Sequence, residues 1–254
     1  LPSEFELRKI QLTAFKKYST SLLILAIYIF GGAKTEAAEQ ALFLKQKSLM
    51  LGRTELLYCK EGIKLDLYEK SQLILMRPPL WHVQLCHTGN KLYWEGDAKG
   101  FKSNFNSTCA MFRPGDPSAL KPGASTKSEQ KGLACIKYNL TGQKFTNQAN
   151  LHTWQRLLVR DGFLWALPAK EVPAAATKVL NLCFAAPVAP GIPLALTVFN
   201  NGGSHSEEVE LLGVQHKTVS AADFKVPSSY KRVSKPEQII NTKALGEDFA
   251  EILK

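Results

Sequence analysis

Histidine is the side chain most often used for proton transfer near neutral pH, and the five in this chain sit in settings that complete no site. His82 and His87 lie an odd number of residues apart on one predicted strand, which turns them to opposite faces and prevents them from sharing a metal ion. His205 stands between Ser204 and Ser206 in a glycine-rich turn, and His152 and His216 have no carboxylate close by in sequence. Glu207, Glu208 and Glu210 look like paired carboxylates, but they open a predicted strand after a polar turn and are expected at a solvated edge. GxSxG, HExxH and a phosphate-cradling glycine loop are all absent. The residues predict a protein that is not an enzyme, with no cofactor, no metal and no catalytic residue.

Cysteine chemistry is equally sparse. Of five cysteines, Cys109 and Cys135 flank a proline- and glycine-rich stretch, 111–132, that reads as a long loop. A bridge closing it would stabilise by roughly 3 to 4 kcal/mol. Cys59, Cys86 and Cys183 sit among apolar neighbours and read as buried thiols, and the spacing matches neither CxxC nor a zinc site. Trp81 and Trp94 bracket a predicted hairpin, where they stack on a sugar, sit in a lipid interface or pair across the strands. The predicted ligand contacts are large apolar side chains, Trp154, Trp165, Phe184, Phe199, Leu212 and Val214, a set able to line an apolar cavity or to fill a core.

Strands must position these side chains. Short runs with alternating apolar character recur about every ten residues over 49–59, 63–68, 72–76, 82–87 and 91–95, separated by turn residues. Ile63, Leu65 and Leu67 share one face against Lys64, Asp66 and Tyr68, the pattern of a half-buried antiparallel strand. Further strands are expected at 134–139, 155–159, 162–167, 194–199 and 207–219. One helix is expected from Pro173, where Val179, Leu180, Cys183 and Phe184 recur at helical spacing. The tail after Pro236 is weakly helical. Segment 223–233 is expected to close the sheet, with Phe224 and Val226 alternating against Lys225 before Pro227 stops the ladder.

Residues 16–38 have the three parts of a secretory leader: Lys16 and Lys17, an apolar run from Ser21, and small residues suited to cleavage after Ala37 or Ala33, with Ala37 preferred. The apolar run ends at Ala33, short of the roughly 20 residues a spanning helix needs. Residues 1–37 are thus expected to be leader and upstream sequence, and 38–254 a single exported domain, periplasmic or extracellular, with no stable transmembrane span. The net charge is +10, and beyond residue 37 the lysines and arginines are spread along the chain and not gathered into a run. It favours an anionic envelope surface over nucleic acid, for which no motif is present.

Three stretches in order, RPPLWHVQL, APGIPLAL and AADFKVPSSYKRV, with the phrase F-x-V-P-x-x-Y inside the last, resemble the outer-membrane lipoprotein carrier (LolA/LolB-like) superfamily. The resemblance covers most of residues 45–235. It implies an α+β fold, a curved antiparallel sheet or incomplete β-barrel with a helix packed on the concave face. It also implies a partner that is a lipid or the acyl chain of a lipoprotein. The superfamily's lipid-engaging arginine has no matching position here. A second class of function fits the same residues: a cell-envelope structural or interaction protein that contacts protein or polysaccharide through Trp81 and Trp94.

Overall fold

A computed structural model describes residues 38–99, 101, 115–145 and 151–240. Strands β1 (Glu39–Ser48), β2 (Gly52–Cys59), β3 (Gly62–Leu67), β4 (Gln72–Met76), β5 (Val83–His87) and β6 (Leu92–Gly96) follow one another as a meander. The second half holds β7 (Lys121–Gln130), β8 (Leu133–Thr141), β9 (Val159–Leu167), β10 (Ile192–Asn200), β11 (His205–Val219) and the short β12 (Lys231–Arg232). All pair into one 12-stranded open sheet in the order β12-β6-β5-β4-β3-β2-β1-β11-β10-β9-β8-β7. β12 runs parallel to β6, so the sheet is mixed, which corrects the expectation of a purely antiparallel one; it is also not closed. The helices among the described residues are α1 (Thr153–Leu157), α2 (Ala174–Cys183) and α3 (Glu237–Ile240), and α2 lies where its spacing placed it.

Strand alternation gives the sheet two different faces. One carries the main core, in which Leu44, Leu56, Leu65, Ile74, Leu85, Leu164 and Leu196 are fully buried. Val179, Leu180, Cys183 and Phe184, from α2 and its end, belong to the same cluster. The opposite face carries two small clusters. Ala41, Phe43, Leu57, Cys59 and Val219 surround Phe224, and Leu73, Leu75 and Cys86 are covered by Tyr93, Val226 and Tyr230.

The sheet divides at β11, which changes partner along its length. His205–Val209 pair with Phe199–Leu196 of β10, and from Val209 onward the strand pairs with β1. The first residues of β10 continue instead on β9. Each of the two ladders of β11 has a register slip, leaving Glu208 in the β10 ladder and Leu212 in the β1 ladder as the extra residues of two bulges. Divergence frees the carbonyls of Pro193 and Leu194, and Gln46 Nε2 donates to both, at 2.9 and 3.1 Å. That explains a glutamine with no exposed surface.

Several expectations are corrected. Residues 121–130 of the supposed loop form β7, whose exposed pattern on both faces suits an edge strand that needs no apolar period, with Pro122 at its register slip. Segment 155–159 is not one strand: α1 takes in Gln155 to Leu157, with His152 N donating to Gln155 Oε1 at 2.8 Å, and β9 starts at Val159. The strand expected from Leu49 starts at Gly52, because Met50 N and Leu51 N donate to Ser48 Oγ in a turn. Strand β1 lies outside the expected set. Segment 223–233 does not close the sheet. A 3-10 turn at Ala221–Phe224 buries Phe224, and the chain then adds β12 to the edge of β6, where Arg232 and His82 both face Glu95 at 3.8 and 3.5 Å.

Candidate functional site

Register sorts the core face into rows that cross the strands. The middle row runs Val214, Leu44, Leu56, Leu65, Ile74, Leu85, Trp94, one residue from each of seven neighbouring strands. Every member is apolar, and the five central ones have no exposed surface. At roughly 4.8 Å per strand the row extends about 29 Å. One acyl chain spans half the roughly 30 Å hydrocarbon thickness of a bilayer, so the row exceeds its length.

The row beside it is different. Leu211, Gln46, Thr54, Leu67, Gln72 and His87 are aligned in register, and Gln46, Thr54 and Gln72 are buried. Among the described residues Gln46 Oε1, Thr54 Oγ1 and Gln72 Oε1 have no hydrogen-bond partner. Three unsatisfied oxygens in one strip of an apolar face are costly, at roughly 1 to 3 kcal/mol each.

Residues 169–190, with α2 at their centre, share the core cluster with these rows. Val172 is buried in it, and Glu171 is near enough to Tyr58 to add to the upward shift of that phenol, which burial dominates. The segment is tied largely to itself. Asn181 Nδ2 donates to Thr177 O and Ala189 O at 3.0 and 3.2 Å. Among the described residues its hydrogen bond to the sheet is from Tyr138 Oη to Pro190 O, at 3.3 Å.

The six predicted contacts do not gather in one place. Phe184 lies in the core and Val214 in the middle row. Trp165 and Phe199 are on the opposite face, joined through Phe163, whose ring lies 6.0 and 5.9 Å from theirs. Trp154 on α1 is 59% exposed and Leu212, pushed out by its bulge, 42%. Trp81 is buried and Trp94 half-buried, so the exposed aromatic pair expected for partner contact is not there. Glu208, expected at a solvated edge, is 3% exposed, because β11 lies between two strands and the bulge turns this residue inward; Glu207 and Glu210 are exposed. Cys135 is a buried free thiol, and Cys109 lies outside the described residues.

On the opposite face lysines lie over aromatic rings. Lys137 Nζ is 3.8 Å from the Phe163 centroid and 5.1 Å from that of Trp165; Lys217 Nζ is 3.2 Å from Phe43. A cleft of about 230 Å³ beside Phe43 is rimmed by Glu55, Asp66, Asp223, Lys64 and Lys217. Burial pushes the Asp66 carboxyl above its ordinary range, Lys64 offsets part of this, and Glu55 across the ladder adds to it. A second cleft, of about 200 Å³, lies between Leu157, Val159, Val198 and the turn at Asn200–Ser206. Both fall below the roughly 300 Å³ of ordinary ligand pockets. Among the described residues no helix is long and apolar enough to cross a membrane.

No family model matches the chain, and no curated protein matches it. Among solved structures, an uncharacterized conserved protein from Thermus thermophilus is similar at 9% identity over 83% of this chain and 99% of that one, with a TM-score of 0.32. The MucA/MucB complex of Pseudomonas aeruginosa is similar at 11% identity over 78% of this chain and 58% of that one, with a TM-score of 0.31. With likenesses this distant, function rests on the geometry of the chain itself.

Proposed function

We propose that this protein is an exported, non-catalytic binding protein that shelters an apolar ligand, a lipid or the acyl chain of a lipoprotein, against the core face of its sheet. The observation that carries the reading is the uninterrupted apolar row from Val214 to Trp94. In this reading the core face is the concave one. Residues 169–190 cover it, and the ligand enters by displacing that cover. A cover held mainly by apolar burial suits the exchange, because the hydrophobic effect is non-directional and an acyl chain replaces the area α2 gives up. The resemblance to outer-membrane lipoprotein carriers and the leader before Ala38 support it, and with it a working compartment outside the cytoplasm.

Native mass spectrometry of gently purified protein tests the reading, together with titration by a fluorescent fatty acid followed through Trp94. Co-purifying lipid or saturable binding lost in Leu65→Ala supports it. Retention of no lipid and absence of saturable binding overturns it.

The lysine-capped rings favour a second reading, contact with an anionic envelope surface through the opposite face. Lysines lifting from Phe163 and Phe43 to reach phosphates leave the rings free to enter the interface. Sedimentation with phosphatidylglycerol vesicles, compared with phosphatidylcholine, tests it; a Lys137→Gln, Lys217→Gln variant that still sediments like the parent counts against it.

A further inference from the structure

We propose that Gln46, Thr54 and Gln72 form the head-group end of the ligand site, and that the head they take is neutral and hydrogen-bond-donating, such as the hydroxyls of a glyceride, not a carboxylate. The inference rests on the binding reading above and specifies its ligand. Gln46 Nε2 is committed to Pro193 O and Leu194 O, which fixes the direction of its amide and leaves Oε1 as an acceptor facing no donor. Thr54, whose Oγ1 also has no partner, is opposite Gln46 in the β1–β2 ladder, and Gln72, with its unpartnered Oε1, is two strands further along the same row. The residue between them, Leu67, is fully buried.

Gln46 Oε1, its amide held by the bonds of Nε2, can only accept, Gln72 presents Oε1 to the strip, and the threonine hydroxyl both donates and accepts, so the row calls first for donors. A carboxylate would bring two more acceptors and a charge into a buried strip that holds no lysine or arginine, and whose one titratable member, His87, stands at its partly exposed end opposite Gln72. Desolvating that charge without a partner is the costlier outcome. A head with two hydroxyls spans more of the row than one with a single donor. The tail then lies on the adjoining row, Leu44 to Leu85, which is parallel to the polar row and one step along each strand pair.

The probes are glycerol monolaurate, methyl laurate and laurate at pH 8, which share one tail and differ in the head. Wild-type protein is expected to bind glycerol monolaurate about tenfold more tightly than either of the others, the factor that one satisfied buried polar group is worth. In Thr54→Val, Gln72→Met the preference falls to near unity while methyl laurate affinity is kept. The free protein gives an independent readout: removing unpartnered oxygens raises the melting temperature of the variant. Equal affinities in the wild type, a preference that survives the substitutions, or a lower melting temperature, which would mean that internal water already satisfies the oxygens, each overturns the inference. If none of the three probes binds, the binding reading falls as well; if all bind without preference, only the head-group assignment does.

Discussion

Truncating Phe224 to alanine removes the fully buried side chain that, with Val226 and Tyr230, fastens the C-terminal segment to the opposite face. The ring has no exposed surface and sits among Ala41, Phe43, Leu57, Cys59 and Val219. It lies so close to the β2–β3 turn that a Cβ on Gly62 would come within 3.1 Å of it and 2.6 Å of Met76 O. A buried phenylalanine hides roughly 150–250 Å², about 4 to 6 kcal/mol at about 25 cal/mol per Å², of which alanine keeps part. The floor of the site is paired backbone of β1 to β3, which cannot sink into the cavity, so the loss falls at about 4 kcal/mol, within the range for such truncations. With a urea dependence of about 2 kcal/mol per molar the unfolding midpoint drops by about 2 M. The melting temperature drops by about 8 to 16 °C. A midpoint within about 0.3 M of the parent would refute the reasoning, because it would mean that the cluster repacks around the gap or that the segment is detached in solution.

Leu65→Ala, at the centre of the apolar row, is expected to cost about 2 to 5 kcal/mol and also to weaken acyl-probe binding, whereas Phe224→Ala leaves binding intact; unfolding curves and titrations on the same samples separate the two. The raised carboxyl of Asp66 has no effect on stability below the unfolded value of about 3.9 and costs stability fully above its folded one, so stability falls as pH rises through that window. Asp66→Asn should flatten the denaturation curve there and raise stability at neutral pH, and an unchanged pH dependence would count against the assignment. Burial pushes the thiols of Cys183 on α2 and Cys86 on the opposite face up to about 12, so both should resist alkylation at pH 8. Added acyl ligand should speed labelling of Cys183 and leave Cys86 protected, and equal protection of both in its presence would argue that α2 stays in place.

The helix was legible because Pro173 starts it and Val179, Leu180, Cys183 and Phe184 mark its buried stripe. Strand β3 was legible because Ile63, Leu65 and Leu67 alternate cleanly with polar residues. Strand β1 was missed because it follows the apolar stretch 21–33 and its small residues closely, a signal that hid the alternation of Leu42 and Leu44. Strand β7 carries no apolar period, since an edge strand exposed on both faces has nothing to bury. Bulges defeat parity altogether: Leu212 and Glu208 change sides with the register, and no local sequence signal records the slip. The polar row is a different case. Leu42, Leu44 and Gln46 have one parity, which places Gln46 inward on any strand that buries its leucines, yet residue type alone sends a glutamine to solvent.

The placing of the polar ties bears on how a cover over this sheet could be exchanged. Gln46 bonds to β10 and not to residues 169–190, so it bridges the division of the sheet whether or not α2 is in place. Asn181 Nδ2 bonds within residues 169–190, from the helix to Ala189, so that pairing is kept if the segment moves as one piece; Asn181 Oδ1 has no partner even with the segment in place. On the proposed function, what lifting the segment would break among the described residues is apolar contact and the Tyr138 to Pro190 bond, worth about 1 kcal/mol net. A ligand that restores the apolar contact therefore needs to recover little more, and donors reaching Gln46, Thr54 and Gln72 would supply it. On the proposed function the same accounting explains why unsatisfied oxygens persist in a core where valine and methionine would be more stable: they weaken the free state at the place where a bound ligand would have partners to offer.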